Sequence, residues 1–395
     1  MSLFENSHSH AEACEGRHPL PEIDAVVGVE TDALLFRDAR SVADAASLAY
    51  YIDKVVLVTG GGGTIGSEIC RRVAALSPRR LIIFDIYENS AYELQEELMA
   101  EYAGRLDLTV EIGSVQDRAR LAAVFSHYRP EVVFHAAAHK HVPLMEHSAS
   151  EAIKNNVFGT YNAADMAERY GASKFILIST DKAVSPASVM GATKRMCESV
   201  VHCRTDSQTV FSSVRFGNVL GSNGSVIPLF KRQIARGGPI TLTDKRMTRY
   251  FMTAGEAASL VMQAGCMAEQ GELFVLDMGE PVRILDLAEH MIRRSGLEPY
   301  RDIDIVEIGL RPGERLCEEL ITRDESLVPT SNGMILVKRA DPSSREAVED
   351  GLDMLRRAIL AAEDELCSPS LIDALQKVVP EFCPSAPSDE KSAKG

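Results

Sequence analysis

VVLVTGGGGTIG, residues 55–66, decides the fold of this chain. An apolar run that is typical of a buried strand leads into a glycine turn, and the turn leads into a helix. Gly60, Gly63 and Gly66 recur at every third position. Glycine permits positive φ and leaves the backbone uncovered, so peptide N–H groups and a helix N-terminus can approach a pyrophosphate. The stretch predicts a nucleotide-binding α/β unit, and the alternative is a glycine turn without a ligand.

A second apolar run, residues 81–84, ends in Asp85, which lies 19 residues beyond Gly66. An acidic residue about 20 positions after the glycines holds the ribose hydroxyls of a bound dinucleotide. A carboxylate repels a 2′-phosphate, so Asp85 favours NAD over NADP. No Gly-Lys-Ser/Thr follows the turn, which excludes a phosphate-binding loop of the NTPase kind.

From residue 54 onwards, apolar strands alternate with helical stretches. This alternation predicts an α/β fold with a doubly wound parallel sheet of the Rossmann type. Ligands of such sheets bind where the carboxyl ends of the strands meet. Four segments follow strand ends and are expected to converge on one crevice: the glycine turn and residues 136–147, 179–194 and 217–223. Strands are predicted at 55–58, 81–84, 108–112, 132–135, 175–178 and 211–216, and helices at 67–76, 90–102, 118–128, 150–170 and up to about 204.

The domain organisation follows from the same patterns. The predicted regions are a disordered N-terminus (1–20), a helical lead-in (21–53), the dinucleotide-binding domain (54–217), a smaller α/β substrate lobe that partly returns to the first domain (218–340), a C-terminal helical region (341–383) and a disordered tail (384–395). His8, His10, Cys14 and His18 in the first region fit no standard zinc spacing, so we expect no metal site.

Composition narrows the class of protein. Of the 395 residues, 45% are hydrophobic and 25% charged, as in a globular protein, and the net charge of −15 argues against nucleic acid as a partner. The eight cysteines form no C-x-x-C pair, which indicates a reducing compartment. We find no apolar run of about 18 residues and no secretory signal, so the sequence predicts a cytoplasmic protein without a membrane span.

Six segments in order carry a resemblance to a known family. The chain resembles the extended short-chain dehydrogenase/reductase superfamily and, within it, the CapD-like polysaccharide-biosynthesis family, from about residue 20 to 340. That family contains UDP-N-acetylglucosamine 4,6-dehydratases and related epimerases. The segments are AAAHKHVPLME (136–146), STDKAV (179–184), MGATKR (190–195), RFGNVLGSNGSVIPLF (215–230), TRYFMT (248–253) and GLRPGERLCEEL (309–320).

The resemblance implies two sets of binding residues. The residues that it places against NAD are Gly60, Gly63, Thr64, Ile65, Gly66, Asp85, Ser114, Val115, Ala136, Ala137 and Lys194. The residues that it places against a UDP-sugar are Lys140, His141, Asn218, Arg249, Arg311 and Glu314. The alternatives are a solvated basic turn for Lys140 and His141, and a structural salt bridge for Arg311.

The superfamily usually carries Tyr-x-x-x-Lys on one helix face, and the Tyr acts as the base for the substrate hydroxyl. Here Met190 occupies the Tyr position and Lys194 the Lys position. A thioether cannot act as a general base. Either redox chemistry is lost or another group takes the proton. We favour the second, because the same exchange is familiar from CapD-like dehydratases.

The dehydratase mechanism implies roles for three neighbouring residues. Once C4 of the sugar is a ketone, Lys182 removes the C5 proton and Asp181 protonates the departing C6 hydroxyl. The group that takes the proton of the C4 hydroxyl stays open between Thr180, Asp181 and a water. A lysine base must be neutral, which requires burial or a nearby cation such as Lys194 or Lys140. The alternative for Asp181 and Lys182 is a surface ion pair in a loop.

The leading hypothesis is therefore an NAD-dependent lyase, a UDP-N-acetylglucosamine 4,6-dehydratase for surface glycans. The alternatives are a UDP-sugar epimerase of the same family and a non-catalytic binder of sugar nucleotides. The chain departs from the family pattern at Ser114, where Asp is common, and at Cys317, where Tyr is common. Many relatives have an N-terminal membrane region that this sequence lacks, which predicts a soluble form. Relatives also predict a homo-oligomer, a dimer or larger.

Overall fold

The structure is a computed structural model that describes residues 45–321, 326–339, 344–362 and 368–384. Within these ranges the main sheet has nine strands. In chain order they are β1 (Val55–Thr59), β2 (Arg80–Asp85), β3 (Leu108–Ile112), β4 (Val132–His135), β5 (Lys174–Ile178), β6 (Val210–Arg215), β7 (Glu272–Leu276), β8 (Val328–Pro329) and β9 (Ile335–Arg339).

Helices alternate with these strands along the chain and also follow them at its C-terminal side. They are α1 (Ala45–Leu48), α2 (Thr64–Ala75), α3 (Glu88–Tyr102), α4 (Arg118–Tyr128), α5 (Val142–His147), α6 (Ala149–Ala152), α7 (Gly159–Arg169), α8 (Val189–His202), α9 (Val226–Ala235), α10 (Ala254–Met267), α11 (Ile284–Arg294), α12 (Arg345–Ala361) and α13 (Pro369–Val378).

The sheet is doubly wound, as the sequence predicts. Its order is β8-β9-β7-β6-β5-β4-β1-β2-β3. The seven strands β1 to β7 are parallel, and β9 pairs antiparallel with both β7 and β8 at one edge. The chain runs outward from β1 to β3, then returns to place β4 on the other side of β1. At such a reversal the loops after the strands diverge and leave a crevice at the carboxyl edge. The glycine turn follows β1 and therefore opens into this crevice.

Two of the helices predicted within residues 54–217 differ from the observed ones by more than two residues. The helix predicted at 67–76 begins three residues earlier, at Thr64, because Gly63 provides its extended N-cap. The helix predicted over 150–170 is divided into α6, a π-helical segment at Ile153–Phe158 and α7. The π segment carries Asn156, whose side-chain amide donates to the carbonyl of His139 and to Thr193 Oγ1, each at 3.0 Å. Tertiary hydrogen bonds thus accompany the break.

Residues 218–339 contribute to two bodies. One is a small lobe in which α9 and α11 pack on a short parallel pair, Ile240–Leu242 with Ile305–Glu307, around their own apolar cluster. The other is the main sheet, to which β7, β8 and β9 belong, with α10 packed against α2. The lobe is therefore built from two stretches of chain that leave the sheet, one between β6 and β7 and the other between β7 and β8.

The described C-terminal helices cover the back of α8. Buried residues of α12 and α13 share one apolar cluster with α6, the π segment and α8. Both helices, Arg345–Ala361 and Pro369–Val378, lie in the region 341–383 that the sequence predicts to be helical. Among the described residues, the helices are all too short or too polar to cross a membrane. The predicted disordered N-terminus with its histidines, most of the lead-in and residues 385–395 lie outside the described residues.

Candidate active site

The glycine turn brings the ends of β1 and β4 into contact. Gly60 has φ +67°, and a Cβ there would lie 2.6 Å from the backbone nitrogen of Ala137. A Cβ at Gly66 would lie 2.1 Å from the carbonyl oxygen of Gly60. Both positions therefore require glycine, the first for its backbone angle and its space and the second for its space. The result is a cradle of uncovered backbone at the N-terminus of α2.

An open cavity lies above this cradle at the carboxyl edge of β1 to β4. Seven predicted cofactor residues line it: Gly60, Gly63, Asp85, Ser114, Val115, Ala136 and Ala137. Thr64, Ile65 and Gly66 form the first turn of α2 beside it. Ten further lining residues were not among those predicted from the sequence: Gly62, Phe84, Ile86, Tyr87, Ser90, Gly113, Ala138, His139, Asn155 and Asn223. The first four flank the predicted glycines or Asp85, so their position was available from the sequence.

The Asp85 carboxylate is held at the rim of this cavity by backbone groups. Its Oδ2 accepts from Gly62 N at 2.8 Å and its Oδ1 from Tyr87 N at 2.9 Å. Ser114 Oγ accepts from Gln116 N at 3.1 Å. An oriented carboxylate beside uncovered peptide groups suits the ribose and pyrophosphate of a dinucleotide. The residues present therefore fit NAD.

A second group of predicted residues lies at the end of β5. Asp181 Oδ1 accepts from Thr180 Oγ1 at 2.8 Å and from Lys182 Nζ at 2.9 Å. Lys182 Nζ also donates to Asn218 Oδ1 at 3.2 Å. The Asp181 side chain is fully buried, yet its Oδ2 has no hydrogen-bond partner among the described residues. The structure thus brings Thr180, Asp181, Lys182 and Asn218 together and leaves one carboxylate oxygen for a further donor.

Helix α8 places Met190 and Lys194 next to this group. Both side chains are buried, and Lys194 Nζ donates to the carbonyl of Ile178, at the end of β5, at 2.6 Å. Burial lowers the pKa of Lys194. Ser188 begins the helix, since its hydroxyl accepts from Gly191 N at 3.1 Å. The position that usually carries a phenol therefore presents a thioether with no proton to exchange.

A buried ion pair supports the end of β5 from below. Arg215 Nε and Nη2 donate to the two Glu198 oxygens, each at 2.7 Å, and Ser179 Oγ donates to Glu198 Oε1 at 2.7 Å. Burial alone would raise the pKa of Glu198, but the Arg215 guanidinium overrides it and the pKa falls to about 2. Ser179 directly precedes Thr180, so the pair ties α8 and β6 to the chain that carries Asp181.

Lys140 and His141 lie across the crevice, in the loop after β4. Burial among neighbouring atoms and the nearby Lys182 lower the pKa of Lys140, although its side chain still reaches solvent. Burial and Lys140 in turn lower the pKa of His141. A Cβ at Gly224 would lie 2.4 Å from His141 Cε1, so the imidazole contacts the loop after β6. Lys140 thus lies near Lys182, and His141 packs on the loop after β6.

The segment 311–318 closes the other side of this group. Arg315 Nη2 donates to the carbonyl of Ser185 at 2.5 Å, and a Cβ at Gly313 would contact Val142, Glu146 and Ser188 within 3 Å. Arg311 is exposed, and its backbone nitrogen donates to Glu314 Oε2 at 3.1 Å. The segment therefore joins the small lobe to the loop between Lys182 and α8.

Arg249 lies behind this segment and not at its surface. Its side chain is only 8% exposed, and its Nη atoms donate to the carbonyls of Thr248, Leu316 and Arg315 at 2.7, 3.0 and 2.8 Å. Arg249 Nη2 also lies 3.6 Å from Glu318 Oε1. The structure thus commits this guanidinium to holding residues 315–318. Glu318 was not predicted as a site residue, although it stands inside the quoted GLRPGERLCEEL motif.

Comparisons with known proteins converge on one family. A family model described as "Polysaccharide biosynthesis protein" matches residues 56–340. The capsular polysaccharide biosynthesis protein CapD of Staphylococcus aureus is 51% identical over 306 residues, which are 77% of this chain and 51% of that protein. This chain spans about half the length of the first curated relatives that it matches.

More distant relatives have named activities. The UDP-N-acetylglucosamine 4,6-dehydratase (inverting) of Campylobacter jejuni is 34% identical over 69% of this chain and 79% of that protein. The UDP-glucose 4-epimerase of Rickettsia rickettsii is 34% identical over 70% and 80%. Among solved structures, the X-ray structure of Pen from Bacillus thuringiensis superposes with a TM-score of 0.67 at 35% identity, over 78% of this chain and 99% of that one.

Proposed function

The chain belongs to the polysaccharide biosynthesis protein family, as its motifs predict, and on that premise we propose that it is an NAD-dependent UDP-N-acetylglucosamine 4,6-dehydratase. In this proposal it is a lyase that forms a UDP-4-keto-6-deoxy-N-acetylhexosamine for surface glycans. The observation that carries the proposal is the Asp181–Lys182 pair, in which a buried carboxylate oxygen without a partner among the described residues stands beside an amine. An elimination needs an acid and a base within reach of adjacent carbons.

The residues that would hold NAD are those of the cradle and of the cavity above it. The backbone of the first turn of α2, at Thr64 and Ile65, would face the pyrophosphate, because the N–H groups of Gly60 to Gly63 donate within the protein. Asp85 would face the adenosine ribose hydroxyls, and Ser114 and Val115 the adenine. Lys194, beneath the end of β5, would lie at the nicotinamide ribose. When bound, NAD would supply reversible oxidation of the sugar at C4.

The chain's own side chains supply the proton transfers. Lys182 removes the C5 proton, and the Asp181 carboxyl exchanges protons with the sugar hydroxyls. Lys140 faces Lys182, and repulsion between two close ammonium groups favours loss of a proton from one of them. Asn218, which accepts from Lys182 Nζ, fixes the direction of the amine.

The nucleotide sugar would lie between Lys140 and His141 on one side and the segment 311–318 on the other. Arg311 is exposed at that segment and can bind a phosphate through two parallel hydrogen bonds. Glu314, next to it, would meet the ribose. Arg249 contributes indirectly in this proposal, because its guanidinium already holds the carbonyls of residues 315 and 316.

Incubation of purified protein with UDP-N-acetylglucosamine in D₂O tests the proposal. We expect the sugar to lose one water and to gain a C6 methyl group and deuterium at C5. NMR and mass spectrometry detect these changes. The variant Asp181→Asn keeps the size of the side chain but cannot exchange protons, and we expect it to form no methyl product. A wild-type protein that binds NAD and leaves every UDP-hexosamine unchanged would contradict the proposal and favour a non-catalytic binder.

The same experiment separates the second candidate, an epimerase. The chain is as similar to the Rickettsia rickettsii UDP-glucose 4-epimerase as to the Campylobacter jejuni dehydratase, 34% in both cases. An epimerase would yield a new sugar of unchanged mass that retains its C6 hydroxyl. The expected homo-oligomer stays a prediction, which light scattering of the purified protein tests.

A further inference from the structure

A third ionisable group stands beside Asp181 and Lys182. The Glu318 side chain is 8% exposed. It lines, together with Lys182, a narrow cavity between the loop 184–188 and the segment 313–315. The charged groups that face Glu318 are Lys182, Asp181, Arg249 and Arg315. Glu319, the next residue, is exposed. Glu318 therefore belongs to the reaction site, whereas its neighbour belongs to the surface.

The environment of Glu318 favours the protonated carboxyl. Burial raises its pKa and Asp181 raises it further, and these effects exceed the opposing attraction of Lys182, Arg249 and Arg315. The guanidinium of Arg249 lies 3.6 Å from Glu318 Oε1, beyond hydrogen-bond distance, while it donates to carbonyl oxygens at 2.7 to 3.0 Å. Glu318 is thus buried beside a cation that is committed to other partners.

Asp181 stands in the opposite arrangement. Its Oδ1 already accepts from Thr180 Oγ1 and from Lys182 Nζ. Its other oxygen, Oδ2, is buried and has no hydrogen-bond partner among the described residues, so one acceptor position of this carboxylate is unused. Two carboxyls in contrasting environments typically divide the acid and base roles of a site. The family resemblance implies the acid role for Asp181, but the sequence does not show that the Glu318 carboxyl lies beside it.

We propose that Glu318 is the acid that protonates the departing C6 hydroxyl, and that Asp181 accepts the proton of the C4 hydroxyl. This inference rests on the proposed function. In the elimination, the C5–H bond breaks and its proton goes to the Lys182 amine. The C5 electron pair forms the C5–C6 double bond while the C6–O bond breaks. The Glu318 proton joins the departing oxygen, which leaves as water.

A substrate with a better leaving group tests this assignment. Fluoride needs far less protonation than hydroxide when it leaves carbon. We expect Glu318→Gln to lower kcat on UDP-N-acetylglucosamine by about 10²- to 10⁴-fold and to act on the 6-deoxy-6-fluoro analogue at nearly the wild-type rate. Exchange of the C5 proton for deuterium in unreacted sugar should continue in this variant. Glu319→Gln, the matched control on the exposed neighbour, should change neither rate.

Three results would overturn the assignment. If Glu318→Gln is equally slow on both sugars, the substitution has disturbed the structure of the site and has not simply removed an acid. If Glu318→Gln is fully active on the natural sugar, the Glu318 carboxyl is not needed for the reaction. Rescue of Asp181→Asn, and not of Glu318→Gln, by the fluoro analogue would return the acid role to Asp181. Glu318→Asp, which keeps a carboxyl, shows whether the site tolerates a change of length, and it should retain more activity than Glu318→Gln.

The proton on Glu318 can also be observed without any substrate. Infrared spectra of the wild type should show a protonated-carboxyl band that persists to higher pH than the bands of exposed carboxyls. Glu318→Gln should remove this band and Glu319→Gln should not. Absence of the band contradicts the inference even where the enzyme is active. If instead the band is present and the protein leaves UDP-hexosamines unchanged, the proposed function fails and the proton on Glu318 stands.

Discussion

At Gly60 the absence of a side chain allows the ends of β1 and β4 to come into contact. The residue combines φ +67° with a distance of 2.6 Å between an added Cβ and Ala137 N, so an alanine there meets backbone that cannot move aside. Gly104 has a similar backbone angle, φ +78°, but a Cβ there has nothing within 4 Å. Alanine at Gly104 therefore measures the free-energy cost of the backbone angle alone, whereas alanine at Gly60 adds the cost of the steric clash.

We expect Gly104→Ala to cost roughly 1 kcal/mol of the free energy of unfolding, which is the penalty for a left-handed alanine. Gly60→Ala should cost clearly more, and it should also weaken NAD binding, because the loop after β4 must move away from the cradle. Urea unfolding and calorimetric titration with NAD measure the two effects. Equal losses of stability in the two variants, with unchanged NAD affinity, would show that the close contact at Gly60 is relieved without cost.

The Glu198–Arg215 pair shows how burial changes the contribution of an ion pair to the free energy of unfolding. Arg71 and Glu97 form an equally two-pronged pair at 2.6 and 2.8 Å, but their side chains are 38% and 44% exposed. Those of Arg215 and Glu198 are 4% and 1% exposed. Removal of one partner from a buried pair leaves an uncompensated charge, whereas water replaces the partner at the surface.

We therefore expect Glu198→Gln to cost about 3 to 5 kcal/mol of the free energy of unfolding and Glu97→Gln about 0 to 1 kcal/mol. Chemical denaturation of the two variants compares them directly. The double variant Glu198→Met/Arg215→Met should recover part of the loss, since neither charge is then left unpaired. A small effect of Glu198→Gln would mean that water reaches Arg215.

At the scale of elements, the C-terminal helices α12 and α13 act as part of the core that supports α8. Leu355 on α12 is fully buried in the cluster that includes Met190 and Met196 of α8. Leu360, on the same helix, is 60% exposed. A Leu355→Ala variant should lose about 2 to 5 kcal/mol of stability through the cavity that it leaves, whereas Leu360→Ala should stay within about 0.5 kcal/mol. Thermal unfolding compares them, and a low-temperature transition confined to α12 and α13 in Leu355→Ala would show that these helices unfold on their own.

The elements also show how far the sequence could lead. Strands β1 to β6 and helix α4 were predictable to within a residue or two, because each is an apolar run or an amphipathic stretch with clear ends. The π segment at Ile153–Phe158 was not, because the hydrogen bonds of Asn156 that accompany it go to His139 and Thr193, far along the chain. Glu318 and Glu319 are identical letters in the sequence. Only the packing of Arg249 and of residues 313–315 buries the first and exposes the second.

At the scale of the whole molecule, buried neutral histidines make stability depend on pH. His135 links three elements, since its Nδ1 lies 2.8 Å from Thr59 Oγ1 and its Nε2 3.1 Å from Thr160 Oγ1. Burial, with Lys194 adding to it, lowers the pKa of His135 to about 3. Burial lowers the pKa of His202 to about 4, and its Nε2 lies 2.9 Å from Ser213 Oγ. Both pKa values lie below the 6.5 of an unperturbed histidine.

The sign of the effect follows from proton counts. Between pH 6.5 and about 4 the unfolded chain binds a proton at each of these histidines and the folded chain does not. Stability is therefore fully present above pH 6.5 and is lost as the pH falls, by about 1.4 kcal/mol per pH unit for each histidine, or about 2.7 for both. Below the ordinary pKa of glutamate, Glu198 adds to the loss in the same direction, because its folded pKa is about 2.

Urea unfolding of the wild type at several pH values above and below 6.5 measures this slope. His202→Asn cannot take up the proton, so we expect about half of the slope to remain in that variant, whatever its stability at neutral pH. His127→Asn, a change at an exposed histidine on α4, should leave the slope unchanged. A slope that His202→Asn does not alter would show that water reaches His202 in the folded protein, and the acid sensitivity would then have to come from His135 and the carboxylates alone.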